Sequence, residues 1–427
     1  MKVALIGSGG REHAIAYKLI DSDQLENLFI LPGNPGTAQL GENVDLDVND
    51  NSVVLQFCKQ KNIDLVVIGP EKPLVKGLSD LLRDNSIKVF GPSSNAARIE
   101  SEKSYAKRLM KKYQIPTSDY AEFSAGEYSS ALDYLKAASY PKVIKADGLA
   151  AGKGVIICNS FEEAEQTLIS IFKDRIFGKS GDKIVIEEFL VGEEASIFAI
   201  TDGDKFVTLP SAQDHKRIGD NDTGKNTGGM GSYSPAPIVT PDILHEVEDK
   251  IISPTLKALL KENNKFIGCL YCGLMLTKDG PKVIEFNCRF GDPETQSVLP
   301  LLDGDLLELL YSAASGSLNP RTVKYNGGSS VCVIASSKGY PDAYKTGYRI
   351  TGFEKIDDPE IVIFHSGTKM EGNRLLTNGG RVLGVTSVLN QTNILQARQK
   401  AYQAIQKIHF TDIYFRKDIA SKAIKIK

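Results

Sequence analysis

The sequence predicts a multidomain chain of the α/β and α+β classes: an N-terminal doubly wound parallel sheet, a mixed central region and a small C-terminal α+β domain. Three observations carry this. A length of 427 residues suits about three domains of ordinary size. Short apolar runs alternate with helical stretches up to residue 100. Beyond Glu102, and again beyond the breaker segment Gly316-Ser-Leu-Asn-Pro320, the texture turns to helices among longer β-rich runs.

In the first region Val3–Ile6, Leu28–Leu31, Leu65–Ile68 and Lys88–Phe90 read as strands, and Arg11–Ile20, Asn51–Gln60 and Pro73–Arg83 as helices. Such alternation winds a parallel sheet. Each strand runs into a Gly/Pro loop: Gly7–Gly10, Pro32–Gly36, Gly69–Glu71 and Gly91–Ser93. Ligands of open α/β sheets bind beyond the strands' carboxyl ends, so these loops mark one edge as a site. The middle region offers strands at Val143–Lys145, Val155–Cys158 and Lys183–Phe189, with helices near Gly126–Ala138 and Phe161–Phe172. Ser211–Ser234, crowded with Gly, Asp, Lys and Asn, is expected to be a mobile loop that buries no core and covers substrate. A solvated surface excursion is the alternative. Helix Pro241–Lys261, strands Phe266–Thr277 and Lys282–Phe286, and helix Asp303–Ala314 complete this region. The tail carries strands near Ser330–Ser336, Ile361–Phe364 and Val382–Ser387, then an amphipathic helix at about Thr392–Lys407.

Composition narrows the function. Lys+Arg is 51 against Asp+Glu 53, a net charge of −2 that offers no field to a polyanion and argues against nucleic-acid or polybasic membrane partners. Hydrophobic content of 41% with 24% charged residues is globular. No apolar run approaches the roughly 18 residues of a spanning helix, and Val3–Ile6 is too short for a signal-peptide core. The expected location is cytoplasmic. Cys269-x-x-Cys272 has no second pair to complete a zinc site and lies in an apolar run, so it reads as core.

Four segments carry candidate chemistry. Gly7-Ser-Gly9-Gly10-Arg11-Glu12-His13 follows a strand and opens a helix, where backbone N–H groups suit a phosphate. A dinucleotide fits poorly, because Glu12 replaces the third glycine and no acidic residue ends the second strand. A purely structural turn remains open. In Lys145-Ala-Asp-Gly-Leu-Ala-Ala-Gly-Lys153-Gly154, two lysines flank a glycine-rich connection whose spacing is not that of a Walker A loop. It could close over a triphosphate, or leave Lys153 as a solvated charge. Glu187-Glu188-Phe189-Leu190, followed by Glu194, could border a nucleoside, although an acidic hairpin explains it almost as well. On strand Val283–Phe286 and its extension, Glu285 and Asn287 share a face. Their hard oxygens suit Mg²⁺ or Mn²⁺. Arg289 follows with a planar fork for a carboxylate or phosphate; an edge glutamate paired with that arginine is the plainer reading.

Together these segments resemble the ATP-grasp superfamily and, within it, the phosphoribosylamine–glycine ligase family, nearly end to end. The resemblance rests on Ile6–His13, Gly69-Pro-Glu71, Lys145–Gly154, Gln213-Asp-His-Lys-Arg217, Asn226–Gly231 and Glu285–Glu294. It implies a central ATP-grasp domain with a glycine-rich lid, and divisions at 1–101, 102–318 (lid about 115–190) and 319–427. It implies ligation of glycine to 5-phosphoribosylamine through glycyl phosphate, with ATP as co-substrate and a divalent metal on Glu285 and Asn287. By similarity, Lys103, Lys145 and Lys153 contact phosphates, Glu187, Glu188, Phe189 and Leu190 border adenine, and Glu194 holds the ribose. Lys145 and Arg289 are the catalytic candidates, Arg289 also orienting glycine. The sugar phosphate is expected against Gly9, Gly10, Arg11, Asn34, Gly36 and Thr37, with Asp214 and Lys216 nearby. Cys272–Leu276 lacks the further metal carboxylate that many superfamily members place on the preceding strand, which leaves a second metal loosely held or absent. The expected partners are small molecules, with no nucleic acid or membrane, acting on a monomer. Three rivals stand beside this reading: another ATP-grasp ligase or carboxylase, an NAD-dependent oxidoreductase, and a catalytically silent binding protein.

Overall fold

The structure, a computed structural model, describes residues 1–149 and 154–425. The first unit is a five-stranded parallel sheet in the order Glu42–Asn43, Asn27–Pro32, Lys2–Gly7, Leu65–Ile68, Lys88–Phe90. Its central strands are apolar on both faces because helices cover both. The single helix expected at Pro73–Arg83 is two, Glu71–Val75 and Leu78–Asp84. Gly77 between them holds φ +79°, a left-handed turn that a helix cannot continue through.

Two antiparallel sheets build the centre. Tyr120–Ser124, Lys183–Glu188, Lys142–Ala146 and Val155–Cys158 form the smaller, sealed on one face by helices Tyr128–Lys136 and Phe161–Leu168 around Ala131, Leu135, Ile144 and Ile184. Phe206–Thr208, Glu193–Thr201, Gly268–Thr277 and Gly280–Asn287 form the larger. Cys269 and Cys272 are buried in it, as core. Gly192 joins the two sheets where the chain presses on its neighbour: a Cβ there would lie 2.2 Å from the Leu276 carbonyl oxygen.

The expectation that the Ser211–Ser234 loop buries no core is overturned. Gln213–Asp214 pairs with Gly231–Ser234, which runs antiparallel to Ser329–Ser337 in the C-terminal sheet. Met230, Tyr233 and His215 are buried. The segment hid because its strands bury hydroxyls rather than hydrocarbon: Ser232 donates to the Pro293 carbonyl at 2.9 Å and Ser234 to that of Ser211 at 2.8 Å. What projects between is a hairpin, Arg217–Gly219 against Thr223–Asn226. Arg381–Leu389 and Ile361–His365 continue the sheet, and helix Ile394–Ile405 packs Ala397, Ala401 and Ile405 against it. No helix among the described residues is long and apolar enough to cross a membrane.

The first and last units meet at two histidines. His13 Nδ1 accepts the backbone N–H of His365 at 2.8 Å, and the His365 ring stacks on Phe353. Burial, with His365 adding to it, pushes His13 down to about 3, and burial alone takes His365 to about 4. Both are therefore neutral when folded, while the unfolded chain takes up protons from about pH 6.5 downward. Stability is full above that value and falls with pH toward the folded values, by about 2 kcal/mol per histidine at pH 5. We expect the urea midpoint to fall between pH 7 and pH 5 more steeply in the wild type than in His13→Gln. Equal slopes would refute the assignment.

Candidate active site

One cavity of about 1270 Å³ opens between the units. Arg11 and Glu71 reach it from the first, Lys145, Glu187, Glu285, Asn287 and Arg289 from the centre, and Tyr340 and Arg381 from the last.

At one end lies a buried carboxylate between two ammoniums. Glu187 Oε1 stands 2.9 Å from Lys145 Nζ, and Oε2 stands 2.8 Å from Lys107 Nζ. Burial pushes the Lys107 ammonium down to about 8, with Lys145 acting the same way and Glu187 against. Glu187 itself is lowered: burial opposes its charge, and the two lysines outweigh burial. Lys103, one helical turn before Lys107, donates to the Gly148 carbonyl at 3.1 Å.

Next along the wall, Lys216 bridges Glu194 Oε2 (2.9 Å) and Glu285 Oε1 (3.4 Å). Burial opposes ionisation of Glu285, yet Lys216, Lys145, Lys103 and Arg289 hold its carboxyl below the ordinary value. Asn287, oriented to satisfy its amide, donates to Glu100 Oε1 and to the Phe286 carbonyl, both at 3.2 Å. Glu100 also takes the Cys288 N–H at 2.8 Å and Arg289 Nη2 at 2.8 Å. Arg289 Nε lies 3.4 Å from Glu71 Oε2, so two carboxylates of the first unit hold its fork. Asp214 lines the wall opposite with one oxygen sealed and unpartnered. Burial, then the neighbouring Glu294, raises its carboxyl well above the ordinary value. Gly229 is obligatory beside it: φ is +102°, and a Cβ would lie 2.7 Å from Asp214 Oδ1.

Three family models cover most of the chain: the phosphoribosylglycinamide synthetase N domain over 1–100, the ATP-grasp (A) domain over 101–295 and the C domain over 330–422. The chain belongs to the phosphoribosylglycinamide synthetase family. It is 47% identical over 421 residues to a phosphoribosylamine–glycine ligase of Caldanaerobacter subterraneus subsp. tengcongensis, covering 99% of this chain and 100% of that one. The crystal structure of a phosphoribosylamine–glycine ligase from Thermotoga maritima superposes with a TM-score of 0.82 at 35% identity, covering 98% of this chain and 100% of that one. A biotin carboxylase from Campylobacter jejuni shares the fold alone, with a TM-score of 0.73 at 13% identity over 97% of this chain and 92% of that one.

Within this family frame, most of the sequence-expected residues converge. Lys103, Lys145, Glu187, Glu188, Phe189, Leu190, Glu194, Asp214, Lys216, Glu285, Asn287 and Arg289 all line the cavity. Lys153 lies outside the described residues. The first unit is different: of its six expected substrate contacts, only Arg11 lines the cavity. Gly9 N–H is taken by the Glu12 carboxylate at 2.6 Å, so the protein's own anion sits where the loop was expected to offer room for a phosphate. A Cβ on Gly10 or Gly36 would strike Gln296 or His13 at 2.6 and 2.1 Å. Asn34 spends its amide on the Ser8 and His365 carbonyls and on the Gly36 and Thr37 N–H groups.

Sequence reasoning missed Lys107, Glu100 and Arg381, and placed Glu71 at the site's edge without a role. Lys107 left a signal, since it shares the buried stripe of helix Lys103–Lys112 with Ala106, Leu109 and Met110, where a lysine needs a reason. Arg381 left none: it reaches the Gly228 and Asp292 carbonyls from a distant strand.

Proposed function

We infer that this cavity carries out ATP-dependent ligation of glycine to 5-phosphoribosylamine. The glycine carboxylate takes the γ-phosphoryl group of ATP, giving glycyl phosphate and ADP. The amine of the sugar then attacks the acyl carbon, the C–N bond forms, and phosphate leaves with the electrons of the broken C–O bond. The observation that carries this reading is the convergence of Lys103, Lys145, Glu285, Asn287 and Arg289 on one end of a single cleft, beside a slot edged by Glu188–Leu190. Phosphoryl transfer needs positioning and charge neutralisation more than covalent help, and this end supplies both.

A divalent metal fits the donor set. Glu285 offers a carboxylate and Asn287 an amide oxygen, the latter's nitrogen being engaged by Glu100. Two hard oxygens suit Mg²⁺ or Mn²⁺, and an ion held by Glu285 and Asn287 would supply charge neutralisation to the phosphates. Lys145 and Lys103 would meet the phosphates, Glu188–Leu190 with the backbone of Glu187 the adenine, and Glu194, once freed from Lys216, the ribose hydroxyls. Asp214, Lys216, Arg11 and Arg381 would face the amine-bearing sugar phosphate. The units 1–101, 102–318 and 319–427 remain the proposed division, with Gln213–Asp214 and Gly231–Ser234 lent to the last unit's sheet. We place the enzyme in the cytoplasm, as a monomer working on small molecules; the near-neutral net charge of −2 supports only the absence of a nucleic-acid partner.

Phosphate release measured with ATP and Mg²⁺, omitting glycine or freshly made phosphoribosylamine in turn, tests the function. Full turnover should need both. Release at the full rate with another acceptor and without glycine would sink the reading.

A further inference from the structure

Lys107 lines the cavity, but every polar contact of its Nζ lies within the protein. Its Nζ meets Thr117 Oγ1 at 2.8 Å, Ser118 Oγ at 2.7 Å and Glu187 Oε2 at 2.8 Å. An ammonium has three N–H donors, so all of them are spent inside the protein. Ser118 in turn donates to the same Glu187 oxygen at 2.7 Å. Glu187 Oε1 pairs with Lys145 by charge at 2.9 Å, without an aligned hydrogen bond, and Lys145 donates one N–H to the Ile284 carbonyl at 3.0 Å. One N–H of Lys145 is thereby left for the cavity it lines.

The charges settle what Lys107 is for. Two lysines share one carboxylate, so the buried trio carries a net positive charge. Without Lys107, Glu187 would cancel Lys145 at 2.9 Å, and the pair would face a polyphosphate with no net charge. Burying an ammonium whose contacts are all internal is costly unless the charge itself is needed. We propose that Lys107 is a positioning residue for the nucleotide: it saturates Glu187, so that Lys145 keeps both its charge and its free N–H for the ATP phosphates. This rests on the ATP reading of the cavity.

The test is calorimetric binding of a non-hydrolysable ATP analogue to the full chain. Lys107→Met should weaken binding at least about tenfold, the scale of one lost charge at a half-screened site. Saturating analogue should still be reachable, so kcat at saturating ATP should change far less than KM. The double variant Lys107→Met/Glu187→Gln removes one charge of each sign and restores the positive Lys145. It should recover affinity to within about threefold of wild type, which a mere packing role for Lys107 would not produce. A double variant as weak as the single overturns the proposal. Should Lys107→Met fail to fold, the double variant decides alone by the same limits. Lys145→Met separates the two levels. If it binds like wild type, the ATP reading falls and this proposal with it. If it loses binding while Lys107→Met does not, only the proposal falls.

Discussion

Glu285→Ala is expected to lower kcat at least about a thousandfold, about 4 kcal/mol of transition-state stabilisation, while the melting temperature moves little. The asymmetry follows from its surroundings. Glu285 stands in a field of four cations, Lys216, Lys145, Lys103 and Arg289, that holds its carboxyl ionised although burial resists. Its one direct partner among them, Lys216, is 3.4 Å away and has a better contact at Glu194, 2.9 Å. Folding therefore leans on it little, and the loss is of a hard anionic oxygen at the phosphate end of the cleft. Metal-free binding of the ATP analogue should survive the change, because the lysines remain, whereas the Mg²⁺ concentration for half-maximal activity should rise steeply. Turnover within twofold of wild type, or an unchanged Mg²⁺ dependence, would remove Glu285 from the metal set.

How much of this was legible beforehand depended on what each residue had to do locally. The parallel sheet was readable because its central strands are apolar on both faces, and the signal survives without knowledge of neighbours. Glu285 and Asn287 were readable because strand alternation gives them one face, and Arg289 because it follows directly where that strand ends. Gln213–Asp214 and Gly231–Ser234 were not, since their partners lie far along the chain and their buried atoms are serine hydroxyls bonded to carbonyls. The glycine loop after the first strand misled for a related reason. A helix N-terminus attracts an anion, but nothing local tells whether that anion is a ligand or, as here, Glu12 three residues on. Glu100 was invisible, and Glu71 was legible only as part of a loop at the site's edge, because their role is to hold an arginine from another unit.

That hold makes Arg289→Lys the second decisive change. The guanidinium spends Nη2 on Glu100 at 2.8 Å, faces Glu71 through Nε at 3.4 Å and donates from Nη1 to the Phe290 carbonyl at 3.2 Å. A lysine is a point charge on a flexible stem and cannot span three such partners. Glu100 and Glu71 already balance Arg289 and the neighbouring Arg11, so an anion alone finds no surplus charge here. Glycine, however, arrives as a zwitterion: its carboxylate can pair with the fork while its ammonium is drawn to Glu71. On this view Arg289→Lys raises the KM for glycine and lowers kcat/KM for glycine about a hundredfold, at a nearly constant KM for ATP. Glu71→Gln raises the glycine KM by a smaller factor, with folding unaffected. If Arg289 is only a fastener between units, the outcome differs: Arg289→Lys lowers the melting temperature by several degrees and leaves the glycine KM where it was. That result would dispose of the carboxylate assignment and leave Lys145 as the catalytic cation of the cleft.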